Sequence, residues 1–226
     1  MTTAPLPART PTATPIAPAR ATLLDRVGPA ALVAGAAGNL ASAVLVPLLG
    51  ARPDGLAAQV AAVAERPVAF GAVMGLGALA LPPLAVGLVW AARLLRPRMP
   101  RTSIAAAVLL VAGMWGLFGV HLLALAQLPA ALAADRDGAV AALAAVETSP
   151  VLPVLVFVPF LAGCVLGIAT LVAGLLRTGA VARWIPLCWL AFLVVDFGVG
   201  RVGPVDPHWL FLAGAVGFAV HARRVA

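Results

Sequence analysis

Four long stretches without a charged residue constrain the fold of this chain more than any other feature. They run from Val27 to Ala51, Pro67 to Ala92, Thr102 to Ala134 and Thr148 to Leu176. Each exceeds the roughly 20 residues that a helix needs to cross about 30 Å of hydrocarbon. Because 63% of the chain is apolar and only 10% is charged, it lacks the polar surface of a water-soluble domain. The stretches therefore predict membrane-spanning helices.

Two shorter apolar segments are marginal spans alone, but the Gly-Arg-Val-Gly-Pro turn at 200–204 joins them into a hairpin. Asp206 and Pro207 are typical of an N-cap and a first helical position. We predict an all-α, polytopic transmembrane bundle of six helices over residues 27–226. Its spans lie at about 29–49, 68–94, 103–126, 151–175, 184–200 and 207–222. Residues 1–26 are proline-rich without an apolar run, so we expect a disordered cytoplasmic tail and no signal peptide.

The arginines predict the orientation of the bundle. With the N-terminus inside, the cytoplasmic side holds Arg9, Arg20, Arg26, Arg93, Arg96, Arg98, Arg101, Arg177, Arg183, Arg223 and Arg224. The opposite side holds only Arg52, Arg66, Arg136 and Arg201. This asymmetry follows the positive-inside rule. All cations are Arg, and Ala, Gly and Pro abound, as in proteins of high-GC bacteria. We therefore expect a multi-pass protein of a bacterial inner membrane with both termini cytoplasmic.

A repeated element follows the first and third predicted spans. Residues 54–68 read DGLAAQVAAVAERPV and residues 137–151 read DGAVAALAAVETSPV, with eight identical positions. Each indicates a short helix that opens at Asp and ends before Pro. We predict two short extracytoplasmic loop helices, lying on the bilayer or on the bundle rim. The repeat is either chance among Ala-rich segments or the mark of two duplicated hairpins.

Ionisable and polar side chains inside or beside the spans form the candidate site. Such groups are costly in lipid and are functional candidates by default. His121 and Asp196 belong to spans with the same direction and lie at similar depth in the outer half of the bilayer. A polar cluster that opens outward, serving a ligand or a proton, is therefore predicted. Its candidate residues are His121, Asp196, Arg201, Asp206, His208 and Asn39.

Structural roles for the same residues stay open. Asp196 can pair with Arg201 or His121 as a packing contact, and His121 can donate to a carbonyl. Asn39 can form an interhelical hydrogen bond. A metal or haem needs a tighter ligand set than three helices supply here, so we predict neither metal nor cofactor.

Glycine pairs at Gly71/Gly75 and Gly163/Gly167 allow close helix approach, either within the bundle or in a homo- or hetero-oligomer. Pro82-Pro83 predicts a bend or break in the second span.

No hydrolase, zinc-protease or P-loop motif occurs in a working context, so no enzyme activity is predicted. The arginine runs lack interleaved aromatic residues, so the expected partner is the lipid bilayer and not nucleic acid.

The order of these elements resembles a known group of proteins. A span, an Asp-led Ala-rich outer helix, a second span ending in RPRMPR (96–101) and the later LLRTGAVARWIP (175–186) are similar to uncharacterised bacterial six-span membrane proteins. That group is defined only as a domain of unknown function. The resemblance covers nearly the whole chain and implies a six-span fold without implying an activity.

The residues favour a non-enzymatic membrane protein that accommodates a small or lipidic ligand in its outer half. One alternative is a structural or regulatory subunit that docks on a partner. Another is an ion- or proton-coupled transporter, which requires Asp196 to face a hydrated cavity.

The orientation is testable by cysteine labelling in a background without Cys164 and Cys188. We expect a Pro97→Cys variant to react with a membrane-impermeant maleimide only after cells are permeabilised, because the arginines hold that connection inside. The matched Ala57→Cys variant should react in intact cells. Labelling of position 97 in intact cells would contradict the predicted orientation.

Overall fold

The computed structural model describes residues 22–199 and 206–225, and every regular element in these ranges is helical. The helices are α1 (Leu23–Leu45), α2 (Leu56–Glu65), α3 (Pro67–Arg93), α4 (Pro100–Leu125), α5 (Gln127–Leu132), α6 (Arg136–Glu147), α7 (Val158–Thr178), α8 (Trp184–Val194) and α9 (His208–Val225). Short 3₁₀ or π-helical turns lie after α1, before α7 and after α8, at Val46–Leu49, Pro153–Phe157 and Val195–Val199. Most of the predicted tail and the predicted 200–204 turn lie outside the described residues.

The first helix begins earlier than the predicted boundary at residue 26. Thr22 caps α1: its backbone N–H donates to Asp25 Oδ2 at 2.9 Å, and its hydroxyl accepts from the Asp25 N–H at 3.4 Å. This reciprocal capping box satisfies amide groups that the helix start leaves without partners. Residues 23–26 therefore belong to the first helix and not to a tail.

Four helical segments are long and apolar enough to cross a membrane. They are Leu23–Leu49, Pro67–Arg93, Pro100–Leu132 and Pro153–Thr178. Their outward surfaces are apolar as well: Leu79, Trp115 and Val154 are 76%, 66% and 64% exposed. Large apolar side chains that face outward along whole helices are suited to lipid and not to water. The chain is a helical membrane protein.

Six helices pack side by side in a closed ring that follows chain order. In the described part of the chain, α1 packs on α3, α3 on α4, α4 on α7, α7 on α8, and α8 on α9. Finally α9 packs against α1, which closes the ring. The largest buried side chains of the resulting core include Trp189, Phe218 and Leu84.

Glycines set the closest contacts of the ring. In the α1/α3 pair, a Cβ on Gly87 would overlap backbone atoms of Leu32. In the α4/α7 pair, a Cβ on Gly163 would overlap the backbone of Gly113, and Gly167 lies against Leu110. The Gly163/Gly167 face is thus occupied by this chain's own α4, as the bundle-packing interpretation expects.

The arginine-rich connections gather at one end of the ring. Arg93 forms an ion pair with Asp25 at 3.6 Å and donates to Thr22 Oγ1 at 3.0 Å. Arg98 donates to the carbonyl of Thr178 at 3.1 Å. The start of α1 and the connections at 93–101 and 177–183 therefore share one side of the bundle, as the charge pattern predicts.

The repeated segments form helices at the opposite end of the ring. Val60 of α2 and Leu143 of α6 are buried in one apolar cluster with Ala130 and Ala131 of α5. The sequence did not predict α5. The residues predicted to begin these helices, Asp54 and Asp137, are wrong in detail. The N-cap of α6 is Asp135, whose side chain accepts from the Gly138 N–H, and α2 has no side-chain cap.

The two prolines at 82 and 83 do not break their helix, since α3 runs without interruption from Pro67 to Arg93. Of the two outcomes predicted for this pair, the break is wrong. Neighbouring helices in a bundle satisfy the backbone groups that proline releases, so spans tolerate such residues.

Two alanine substitutions in α3 test the glycine contacts. We expect Gly87→Ala to lower the free energy of unfolding in mixed micelles by about 1–3 kcal/mol, because the new methyl group overlaps α1.

Gly75→Ala is the matched control on the same helix, since a Cβ there meets nothing within 4 Å. Its higher helix propensity should leave stability unchanged or raise it by up to about 1 kcal/mol. Equal stability of the two variants would contradict the close packing of α1 on α3.

Candidate functional site

A cavity of about 280 Å³ lies inside the ring, and each of the six ring helices or its adjoining turn contributes to the wall. Most of the lining is apolar, with Met74, Met114 and Phe160 as large examples. The polar and ionisable residues that line it are Asn39, Ser42, His121, Cys164, Asp196 and His208. Four of the six sequence candidates therefore border one cavity.

His121 is held in place by α3 and by its own helix. Its Nδ1 lies 3.0 Å from the carbonyl oxygen of Leu117. A carbonyl only accepts, so this contact assigns the ring proton to Nδ1. The Nε2 edge occupies a notch at Gly77, where a Cβ would overlap the imidazole. The carbonyl partner that the sequence allowed for His121 is thus present, and the residue lines the cavity while its Nε2 packs against Gly77.

Ser42 completes this corner of the cavity. Its hydroxyl donates to the carbonyl of Val73 at 3.0 Å, and its side chain is buried. The bond links α1 to α3 beside the His121 ring, so the polar wall at this point is preorganised by both neighbouring helices.

Asp206 and His208 form a bonded pair at the start of α9. Asp206 Oδ1 accepts from the backbone N–H of His208 at 3.0 Å and lies 2.8 Å from its Nδ1. Asp206 is 7% exposed, and the His208 ring packs edge-on against Phe192 with centroids 5.1 Å apart. Asp206 thus accepts from the first N–H of α9, as a cap does, and its carboxylate also lies beside the His208 imidazole. Pro207, the predicted first helical position, precedes the helix, which begins at His208.

Asp196 borders the cavity from the turn after α8. Among the described residues, the ionisable groups near enough to act on it electrostatically are His208, Asp206 and Cys164. Among the described residues, Asp196 and His121 form neither a hydrogen bond nor an ion pair with each other. The contact predicted as possible between these two side chains is therefore absent, although both line the same cavity. Arg201 lies outside the described residues.

Asn39 lines the cavity from α1. Within residues 22–199 and 206–225 its amide has no hydrogen-bond partner, so the interhelical bond considered for it is not formed there. The amide keeps its donors and acceptor for whatever occupies the cavity.

A stack of aromatic rings closes the cavity toward the arginine-rich end. Phe211 lines the cavity and stacks on Trp189 with centroids 5.0 Å apart. Trp189 packs on Phe218 at 4.8 Å, and Phe218 meets Trp90 edge-on at 6.4 Å. The Trp189 indole donates to the carbonyl of Phe211 at 2.9 Å, which fixes the ring. These bulky side chains form a floor.

A second and larger cavity of about 500 Å³ lies at the end that carries the loop helices. We call it the vestibule. It is lined by residues of the turn after α1 and of α2, α3, α4, α5 and α6, and by the segment before α7. Val46 and Met74 line both cavities and so stand at the boundary between them. The sequence did not predict the vestibule, because its wall joins loop residues far apart in the chain.

Within the described ranges, no three His, Cys, Asp or Glu side chains come together as metal ligands would. Neither a protein-family model, nor a curated protein, nor a solved structure matches this chain. The shape and lining of the cavity therefore indicate the function. Apolar walls with a few polar groups in set positions are typical of sites that bind small or amphiphilic molecules.

The cap on α9 is testable by two substitutions at one position. We expect Asp206→Ala to lower the free energy of unfolding by about 0.5–2 kcal/mol, because the His208 N–H loses its acceptor. Asp206→Asn keeps an acceptor oxygen and should lose clearly less. Hydrogen exchange of the first α9 amides locates the effect, and equal losses for both variants would contradict the capping role.

Proposed function

We propose that this chain is a six-span bacterial inner-membrane protein, with both termini cytoplasmic, that accommodates a small or lipidic ligand in its outer half. The observation that carries the proposal is the cavity inside the ring, where Asn39, His121, Asp196 and His208 interrupt otherwise apolar walls. An apolar chain fits such walls, and polar groups at set positions select its orientation.

The six-span arrangement is supported by the lengths of the last two ring helices. The apolar segment Trp184–Val199 has 16 residues and α9 has 18. At about 1.5 Å per residue these reach roughly 24–27 Å, close to the 30 Å of hydrocarbon that a span crosses. Both pack in the same ring as the four longer segments. The order of sequence elements, which resembles that of bacterial six-span proteins, also supports six spans.

The outer location follows from the proposed orientation. The cavity borders Asn39, His121 and His208, which lie toward the loop-helix end, away from the ion pair of Arg93 with Asp25. With arginine-rich connections in the cytoplasm, that end faces outward. The aromatic floor from Phe211 to Trp90 separates the cavity from the cytoplasmic end, which favours binding over passage through the ring.

Docking on a partner protein is the second candidate. The Gly163/Gly167 face is filled by α4, but Gly75 on α3 has open space around it. A proton- or ion-coupled transporter comes third: Asp196 borders the cavity as that function requires, whereas the floor opposes it.

Photo-crosslinking tests the proposed ligand site. The probe is a twelve-carbon alcohol with a diazirine at its far end, added to protein in phosphatidylcholine nanodiscs. We expect crosslinks on cavity-lining residues and their loss in Leu117→Trp, because the larger side chain fills the space.

Leu122→Trp is the matched control on the same helix, since Leu122 is 49% exposed and does not line the cavity. Its crosslinking pattern should equal that of the unchanged protein. Labels confined to lipid-facing residues in all three proteins would overturn the proposed site.

A further inference from the structure

The vestibule carries two arginines on the side of the membrane where arginines are scarce. Arg52 and Arg66 line it, together with Gln59, Gln127 and Glu147. Under the proposed orientation these cations lie outside, against the positive-inside preference. Two cations thus border one concave space on the side that is otherwise poor in arginine.

Each of the two exposed guanidinium groups forms one hydrogen bond, and the partner is neutral in both cases. Arg52 Nη2 donates to Gln59 Oε1 at 2.8 Å, and Arg66 Nη1 donates to the carbonyl of Leu48 at 3.3 Å. Among the described residues, neither is in an ion pair with a carboxylate. A guanidinium has five N–H donors, so each arginine is oriented by one bond and keeps most of its donors and its whole charge.

The charge of the wall favours an anion. Two cations face a single carboxylate, Glu147, so the lining keeps an excess of positive charge. Arg136, the other described arginine of this side, does not line the vestibule and donates instead to the carbonyl of Ala131 at 3.2 Å. Arg52 and Arg66 therefore differ from Arg136 because they line the vestibule.

The vestibule and the inner cavity adjoin at Val46 and Met74. The vestibule, where Arg52, Arg66 and Glu147 stand among apolar side chains, thus borders the inner cavity, with Val46 and Met74 between the two spaces. A molecule that matches both parts has an anionic head and a single alkyl chain. The volumes of about 500 and 280 Å³ suit such a molecule, since ligand pockets commonly measure about 300–1,000 Å³.

We propose that the ligand is a single-chain anionic amphiphile, whose carboxylate or phosphate head binds Arg52 and Arg66 in the vestibule while its chain enters the inner cavity. This inference rests on the proposed function, because it assigns the chemical class of the same ligand. Glu147 limits the affinity of the head by its like charge.

The test compares three photo-probes with the same twelve-carbon chain and terminal diazirine: a carboxylate, a phosphate and the neutral alcohol. Nanodiscs of zwitterionic phosphatidylcholine exclude competing anionic lipid. Half-saturating probe levels are read from crosslinks on cavity-lining residues. We expect Arg52→Gln or Arg66→Gln to weaken either anionic probe about two- to fivefold and the double variant about tenfold, as for exposed ion pairs.

Two controls sharpen the expectation. Arg136→Gln removes the same charge from the same side without touching the vestibule, and it should leave all half-saturating levels unchanged. Glu147→Gln should strengthen the anionic probes about twofold, opposite in sign to the arginine variants. The alcohol should respond to none of these changes. A difference between the carboxylate and phosphate arms identifies the preferred head.

The outcomes separate the two proposals. If the alcohol and the anions crosslink in the cavity equally and the arginine variants change nothing, the anionic head is overturned while the ligand site stands. If Arg136→Gln weakens the anions as much as Arg52→Gln, the effect is one of general surface charge, which also overturns the inference. If no probe labels the cavity, the proposed function itself fails.

Discussion

Close helix contact within lipid is the constraint on which this structure depends. Acyl chains are as apolar as leucine, so burial of apolar area does not hold spans together, and van der Waals packing must do so. Gly87 against Leu32 and Gly163 against Gly113 bring two helix pairs to backbone contact. These pairs, α1/α3 and α4/α7, are the two hairpins that carry the repeated loop segment. They form the rigid sides of a ring that α8 and α9 complete.

The side chains inside the ring differ between its two ends. Toward the arginine-rich end, the rings of Trp189, Phe218 and Trp90 are buried and pack on one another. Toward the other end, Asn39 and Ser42 replace bulky residues on α1, and a cavity remains. Because polar groups inside a membrane are costly, their concentration around this one space is the strongest functional sign in the molecule. The same helices therefore carry polar residues around the cavity and bulky aromatic residues toward the arginine-rich end.

Particular residues show how far reasoning from sequence reached. His121 and Asp196 are sequence candidates because lipid disfavours ionisable groups, and His208 because it lies at the mouth of the last predicted hairpin. The structure places all three, with Asn39 of the first span, around one cavity. Their pairing was not predictable: Asp206 bonds to His208, whereas Asp196 and His121 do not meet. Depth along a helix follows from counting residues, but the direction of a side chain depends on helix rotation, which neighbouring helices decide. For Arg52 and Arg66 the sequence predicts only a side of the membrane, because it is the folded loops that bring them to one wall.

The sequence by itself determined that the chain is helical and suited to a membrane, because uncharged apolar stretches of this length match the hydrocarbon thickness of a bilayer. It also predicted which connections lie on the same side of the bundle, because arginine-rich connections favour one side of a membrane. Only the tertiary structure decided that α9 closes against α1, that the Gly163/Gly167 face is internal, and that a vestibule with two arginines adjoins the inner cavity. Ring closure and cavity shape depend on how distant helices interlock, and no local pattern encodes the space left between them.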